Sequence, residues 1–172
     1  MSFRKFLAGA LAAFCFTGLP AAAQGILNSY QTVEIKAPIW DVWDAVKEFD
    51  SLPNWHPVFS DDVLKSGANG EVGSVRTLTV KDGPSFDEEL LSYNPAGREY
   101  SYRIIDPSPL PLAEYASSVE VIEGRRGYSA VIWRGNYKNG SGGKMTDEEV
   151  IAFIDGVYRA GLDNLKSMLE GN

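Results

Sequence analysis

The stretch TDEEVIAFIDGVYRAGLDNLKSMLEG, residues 146–171, decides the fold. Thr146 followed three residues later by Glu149 has the form of a capping box, in which each side chain satisfies a backbone N–H of the other. Beyond it Val150, Phe153, Ile154, Val157, Tyr158, Leu162, Leu165 and Leu169 recur at helical spacing for roughly five turns, and Gly171 suits the helix end. One long amphipathic helix is expected, and Asp147, Glu148 and Glu149 complement the positive end of its dipole.

Working back from that helix, Asn139-Gly140-Ser141-Gly142-Gly143 is a breaker, and before it lie strand-like runs at 63–65, 75–81, 86–93, 99–105, 117–122 and 129–137. Turn residues separate them at 67–70, 82–84, 94–97, 107–111 and 124–127. Six strands in succession with such short links predict an antiparallel meander. A further strand is expected over 29–36, where Thr32, Glu34 and Lys36 alternate with Val33 and Ile35. Pro38 suits a first helical turn, and Ile39, Val42, Trp43, Val46 and Phe49 form one apolar stripe of a helix reaching about residue 49. A short second helix is expected from Pro53 to Phe59. The sum is an α+β domain: a curved antiparallel sheet of about seven strands around a long C-terminal helix, with two short N-terminal helices. A helix laid across a curled sheet need not fill it, so a cavity at one end is expected.

The first residues have a different character. Arg4 and Lys5 precede an apolar run over 6–19, then Pro20 and Ala21-Ala22-Ala23 before Gln24, which is the order of a secretory signal peptide. The run is too short to cross a bilayer, and no second one follows, so no stable membrane anchor is expected. Cleavage near Ala23 divides the chain into a signal peptide, 1–23, and one domain, 24–172, that is periplasmic or secreted. It also removes Cys15, the only cysteine, so the domain is held by its core. Losing Arg4 and Lys5 takes the net charge from −7 to −9, and only Arg125-Arg126 stand as a basic pair, which argues against nucleic acid as a partner. No metal motif is present and no cofactor is expected, because a lone histidine supplies neither a metal cluster nor a triad.

Asp41-Val42-Trp43 with Phe49-Asp50, the run 55–59, Val72-Gly73-Ser74-Val75-Arg76, Glu88-Glu89-Leu90, the run 115–119 and the run 153–165 together carry a resemblance. In that order they resemble the START-like, Bet v 1-like (SRPBCC) helix-grip proteins, in particular the polyketide cyclase/dehydrase and lipid-transport family. The resemblance implies a protein that binds a small hydrophobic molecule, such as a lipid or a polyketide-like or aromatic compound, between sheet and helix, and the N-terminal pattern adds the expectation of export. Two alternatives go with it: a cyclase or dehydratase acting on a polyketide-like substrate, and an accessory partner of a periplasmic redox enzyme. Similarity to the plant abscisic acid receptors implies ligand contacts at Val80, Glu88, Tyr102, Tyr115, Ser117, Phe153, Val157 and Gly161. It places His56 where those receptors carry a lysine, and Arg134 where they carry a glutamate. Their gate and latch are not matched by Asp82-Gly83-Pro84-Ser85 and Leu110-Pro111-Leu112, so a hormone-receptor role is not implied.

Each candidate has a plainer reading. Glu88 between Phe86 and Leu90 is an inward carboxylate, suited to orienting ligand or moving a proton, and equally to an ion pair with Arg76, Arg103 or Arg134. His56 is the second catalytic candidate, or a packed or surface histidine. Tyr100, Tyr102, Tyr115 and Trp133 either line a cavity or are core, and an inward Arg134 turns Trp133 outward unless a bulge intervenes. The loops at 82–85 and 107–111 are candidates to gate access.

Overall fold

The computed structural model describes residues 25–171. The expected signal peptide, and the cleavage near Ala23, lie outside the described residues. The order is β1 (Leu27–Ile35), α1 (Ile39–Val46), a 3₁₀ turn (Leu52–Asn54), β2 (Phe59–Ser66), β3 (Val75–Val80), β4 (Ser85–Asn94), β5 (Glu99–Ile104), β6 (Leu112–Glu123), β7 (Ser129–Asn139) and α2 (Asp147–Glu170). The seven strands form one antiparallel sheet in the order β1-β7-β6-β5-β4-β3-β2. β2 to β7 are therefore the expected meander, and β1 adds itself beside β7.

α2 begins as its sequence dictates. Thr146 Oγ1 accepts from the Glu149 N–H and the Glu149 carboxylate accepts from the Thr146 N–H, while Gly171 takes the left-handed conformation at the other end. Its buried face, Val150, Ile154, Tyr158, Gly161, Leu162 and Leu165, packs into the concave side of the sheet. It is also tied to β1: Arg159 donates to the Thr32 carbonyl (3.2 Å), Lys166 to the Glu34 carbonyl (2.7 Å), and the Lys36 N–H to Glu170 Oε1 (2.8 Å). α1 buries Val42, Trp43 and Val46, with the Trp43 ring 6.0 Å from Tyr93 and 6.3 Å from Tyr100.

Three boundaries differ from the sequence reading. α1 stops at Val46 and the segment after it holds only the 3₁₀ turn, since Pro57 lacks an N–H and disfavours helical backbone at His56. β2 starts earlier, at Phe59, and β6 earlier, at Leu112. The β6 extension passes through a bulge between Ala113 and Ala116, where Glu114 has φ +52°. That extra residue lets Leu112 and Tyr115, three apart, both face the interior, which strict alternation forbids.

Candidate functional site

The concave side of the sheet is not filled by α2. Between them lies a cavity of about 350 Å³, at the small end of the roughly 300–1,000 Å³ typical of ligand pockets. Leu78, Val80, Phe86, Glu88, Tyr102 and Ile104 supply its sheet wall from β3, β4 and β5. Tyr115 of β6 and Trp133 of β7 extend that wall, and Phe153, Ile154, Val157 and Tyr158 supply the helix wall. Leu52, Val58, Phe59, Pro84 and residues 109–112 complete the lining. Both loops suspected of gating thus border the cavity. Glu88 is the one charged residue in the wall among the described residues.

Trp133 and Tyr158 form the deep end, their rings stacked with centroids 4.4 Å apart. Gly135 of β7 makes this approach possible, because a Cβ there would lie 2.4 Å from the Tyr158 hydroxyl. The hydroxyls form one buried network. Ser117 Oγ donates to the Arg134 carbonyl (2.6 Å) and lies 2.9 Å from the Tyr158 hydroxyl, which lies 2.6 Å from that of Tyr115. Trp133 Nε1–H is shared between Ser117 Oγ and the Tyr102 hydroxyl, 3.0 Å from each. Burial pushes the hydroxyls of Tyr102, Tyr115 and Tyr158 well above their ordinary pKa of 10, so all three keep their protons.

Behind Glu88 stands a buried ionic cluster. Arg76 Nε and Nη2 donate to Glu88 Oε2 at 2.9 and 2.6 Å, and Nη1 donates to Asp62 Oδ2 at 3.1 Å and to the Phe49 carbonyl. The guanidinium also lies over the Phe49 ring, 4.3 Å from its centroid. Glu88 is therefore paired with Arg76, whereas Arg103 pairs with Glu89 and Arg134 with Glu120. Burial raises the pKa of Glu88, with Arg76 pulling it back, and raises that of Asp62 to about 6 for the same reason. Asp62 Oδ1 is buried without a hydrogen-bond partner.

The candidates from the sequence divide into three groups. Val80, Glu88, Tyr102, Tyr115, Phe153 and Val157 line the cavity. His56, Ser117 and Gly161 lie outside the wall and support it. His56 Nε2 lies 3.0 Å from the Val157 carbonyl and Nδ1 accepts weakly from the Val58 N–H at 3.3 Å, which fixes the Nε2–H tautomer and commits both nitrogens to backbone. The ring is fully buried and packs edge-on against Trp133 and Phe59, and burial lowers its pKa to about 4. Arg134 is a correction. β7 alternates strictly with Trp133 inward, so Arg134 points to solvent, pairs with Glu120 at 2.8 Å and lies over Tyr30. It is not part of the cavity. The sequence reading did not assign Tyr158, Leu78, Ile104 or Asp62 to the site; inward alternation in β3 and β5 marks Leu78 and Ile104, while nothing local marks Asp62.

No group of three or more side chains that could hold a metal ion occurs among the described residues, and none of their helices is long and apolar enough to cross a membrane.

Solved structures of related chains share this architecture. The protein XoxI from Bacillus cereus is 31% identical, with a TM-score of 0.74 over 83% of this chain and 94% of its own. An uncharacterised protein from Bacillus thuringiensis is 30% identical, with a TM-score of 0.75 over 83% and 98%. A protein from Thermobifida fusca is 26% identical, with a TM-score of 0.73 over 83% and 92%. The family model described as polyketide cyclase / dehydrase and lipid transport matches residues 27–170, from the first strand to the last turn of α2. With that match over nearly every described residue, on a helix-grip fold enclosing an apolar cavity, the chain belongs to the polyketide cyclase/dehydrase and lipid transport family.

Proposed function

We propose that this protein is exported and binds a small hydrophobic molecule in the cavity between sheet and α2. The observation that carries the reading is the cavity itself, enclosed on two sides by fixed structure and lined by apolar and aromatic side chains with a single carboxylate. Membership of a family that handles lipids and polyketide-like compounds supports it. The signal-peptide pattern of the first 23 residues supports export. In this reading Val80, Phe153 and Val157 give apolar contact near the mouth, and Tyr102, Tyr115 and Glu88 bound the deeper space. His56, Ser117 and Gly161 act through the wall they support.

Binding is favoured over cyclase or dehydratase chemistry by the state of the titratable groups. Both nitrogens of His56 are held by backbone, the tyrosines are poor acids, and Glu88 is tied to Arg76. Among the described residues, Glu88 faces the cavity with no histidine, second carboxylate or cation beside it in the wall to complete a proton relay. Fluorescence titration of the purified 24–172 form with the neutral probe N-phenyl-1-naphthylamine tests the reading. Saturable binding is expected, weakened at least about tenfold by Val157→Phe, which fills the helix side of the cavity. Absence of binding, or equal affinity in the filled variant, overturns it. Mass spectrometry of the secreted protein is expected to give Gln24 as the first residue.

A further inference from the structure

The deep end of the cavity contains a hydrogen-bond donor and an acceptor that the protein leaves unused, and this follows from counting protons. Ser117 has one hydroxyl hydrogen, and it goes to the Arg134 carbonyl, which can only accept. The Ser117 oxygen then has two lone pairs, which take the Trp133 N–H and the Tyr158 O–H. With the Tyr158 hydrogen committed to Ser117, the contact between Tyr158 and Tyr115 is a donation from Tyr115. Trp133 also donates to the Tyr102 oxygen. Every hydrogen in the network is now placed except that of Tyr102: Ser117, the one hydroxyl that also acts on it, has both lone pairs taken by Trp133 and Tyr158.

The matching acceptor is on the next strand. Both bonds from Arg76 to Glu88 fall on Oε2, so Oε1 receives none, although the residue is only 3% exposed. Glu88 sits opposite Ile104, and Leu90 sits opposite Tyr102. Glu88 and Tyr102 are therefore diagonal neighbours on one face, roughly 7–8 Å apart at the backbone and within reach of side chains of this length. The carboxylate acts electrostatically on the Tyr102 hydroxyl. The two residues are not hydrogen-bonded to each other, and both are in the cavity wall. Arg76 is not, and four of its five N–H groups are already used on Glu88, Asp62 and Phe49.

We infer that the cavity selects apolar molecules ending in one neutral head group that both donates and accepts, an alcohol or a phenol, which accepts from Tyr102 and donates to Glu88 Oε1. A carboxylate would meet the Glu88 carboxylate with no free cation to answer it, so free fatty acids and other anions are rejected. An ether or ester leaves Glu88 Oε1 buried and unpaired. This rests on the binding reading above and sharpens it to a class of ligand.

Competition against bound N-phenyl-1-naphthylamine at pH 7.5 tests the inference, with 1-decanol, decyl methyl ether, decanoate and undecane as competitors of similar length. Decanol is expected to bind about tenfold more tightly than the ether, because a bond to a carboxylate is worth more than a neutral one, and decanoate is expected to be weaker than both. Tyr102→Phe removes the donor and leaves the Trp133 N–H still bonded to Ser117. It is expected to weaken decanol about fivefold relative to undecane. Equal competition by alcohol, ether and acid, or strongest competition by decanoate, overturns the inference while probe binding still upholds the cavity. If the probe does not bind, the binding reading fails and takes this one with it.

Discussion

Two glycines of α2 carry opposite predictions from one helix. A Cβ added at Gly156 meets nothing within 4 Å, whereas one at Gly161 would lie 2.4 Å from His56 Cδ2 and 2.8 Å from Nε2. Alanine at either position gains about 1 kcal/mol of helix propensity over glycine. At Gly156 that gain stands alone. At Gly161 the imidazole must move, and it has no room, being held by the Val157 carbonyl and packed against Phe59 and Trp133. Overpacking of this kind costs about 1–3 kcal/mol. Losing the His56–Val157 hydrogen bond with both groups still buried costs about 1–3 kcal/mol more. Gly156→Ala should therefore be about 1 kcal/mol more stable than the native protein, and Gly161→Ala about 3 kcal/mol less stable. Urea unfolding of the 24–172 form, followed by tryptophan fluorescence, measures both. At roughly 2–4 °C per kcal/mol for a domain of this size, the thermal midpoints move apart by at least about 8 °C. Removing the ring in His56→Ala/Gly161→Ala should make the two changes less than additive. A Gly161→Ala variant as stable as Gly156→Ala would refute the close packing of α2 on His56.

The ionisable core makes further predictions. His56 titrates near 4 in the folded state against 6.5 ordinarily, so its contribution is full above pH 6.5 and is lost as pH falls through 4. The shift corresponds to about 3 kcal/mol, so the stability gap between native protein and His56→Phe should shrink by about that amount from pH 7 to pH 4. Asp62 runs the other way: its folded pKa, raised to about 6 from 3.8, adds stability below pH 4 that is lost as pH rises through 6. Asp62→Asn should therefore remove a rise in stability that the native protein gains on acidification, as pH-dependent urea unfolding can read. Arg76→Met leaves Glu88 and Asp62 buried without their cation and should cost about 3–5 kcal/mol. Replacing all three by leucine or methionine should recover most of that loss, and a triple variant no better than the single one would contradict the ion-pair account.

The elements with long, uninterrupted periods were legible in the sequence. The helical stripe of α2, its capping box and the alternation of β5 and β7 each depend on local residues alone. What was hidden depended on departures from period or on distant partners. β6 looked shorter than it is because the bulge at Ala113–Ala116 breaks the two-residue rhythm next to a proline-rich loop. Arg134 was placed in the cavity by matching it to a receptor glutamate, although the alternation of β7 turns it outward and Trp133 inward. Six of the contacts that the resemblance to the receptors implies line the cavity, and the periods of their strands and helix are consistent with that. The role of Asp62 could not be read, since its partner Arg76 lies across the β2–β3 hairpin and only pairing brings them together.

The ties between β1 and α2 bear on when this protein can fold. Arg159 to Thr32 and Lys36 to Glu170 join positions 127 and 134 residues apart, and among the described residues β1 pairs with β7 alone. The first strand of the sheet thus has nothing to pair with until most of the chain has been made, and its helical cover comes later still. Topologies dominated by such distant contacts fold slowly, because the entropy of closing the large loop must be lost before the contacts form. For a chain that is threaded through a membrane before it acts, as proposed here, that delay is useful. On that proposal the leading end would reach the channel while the residues needed to close the sheet were still behind it, which favours an unfolded, transportable chain.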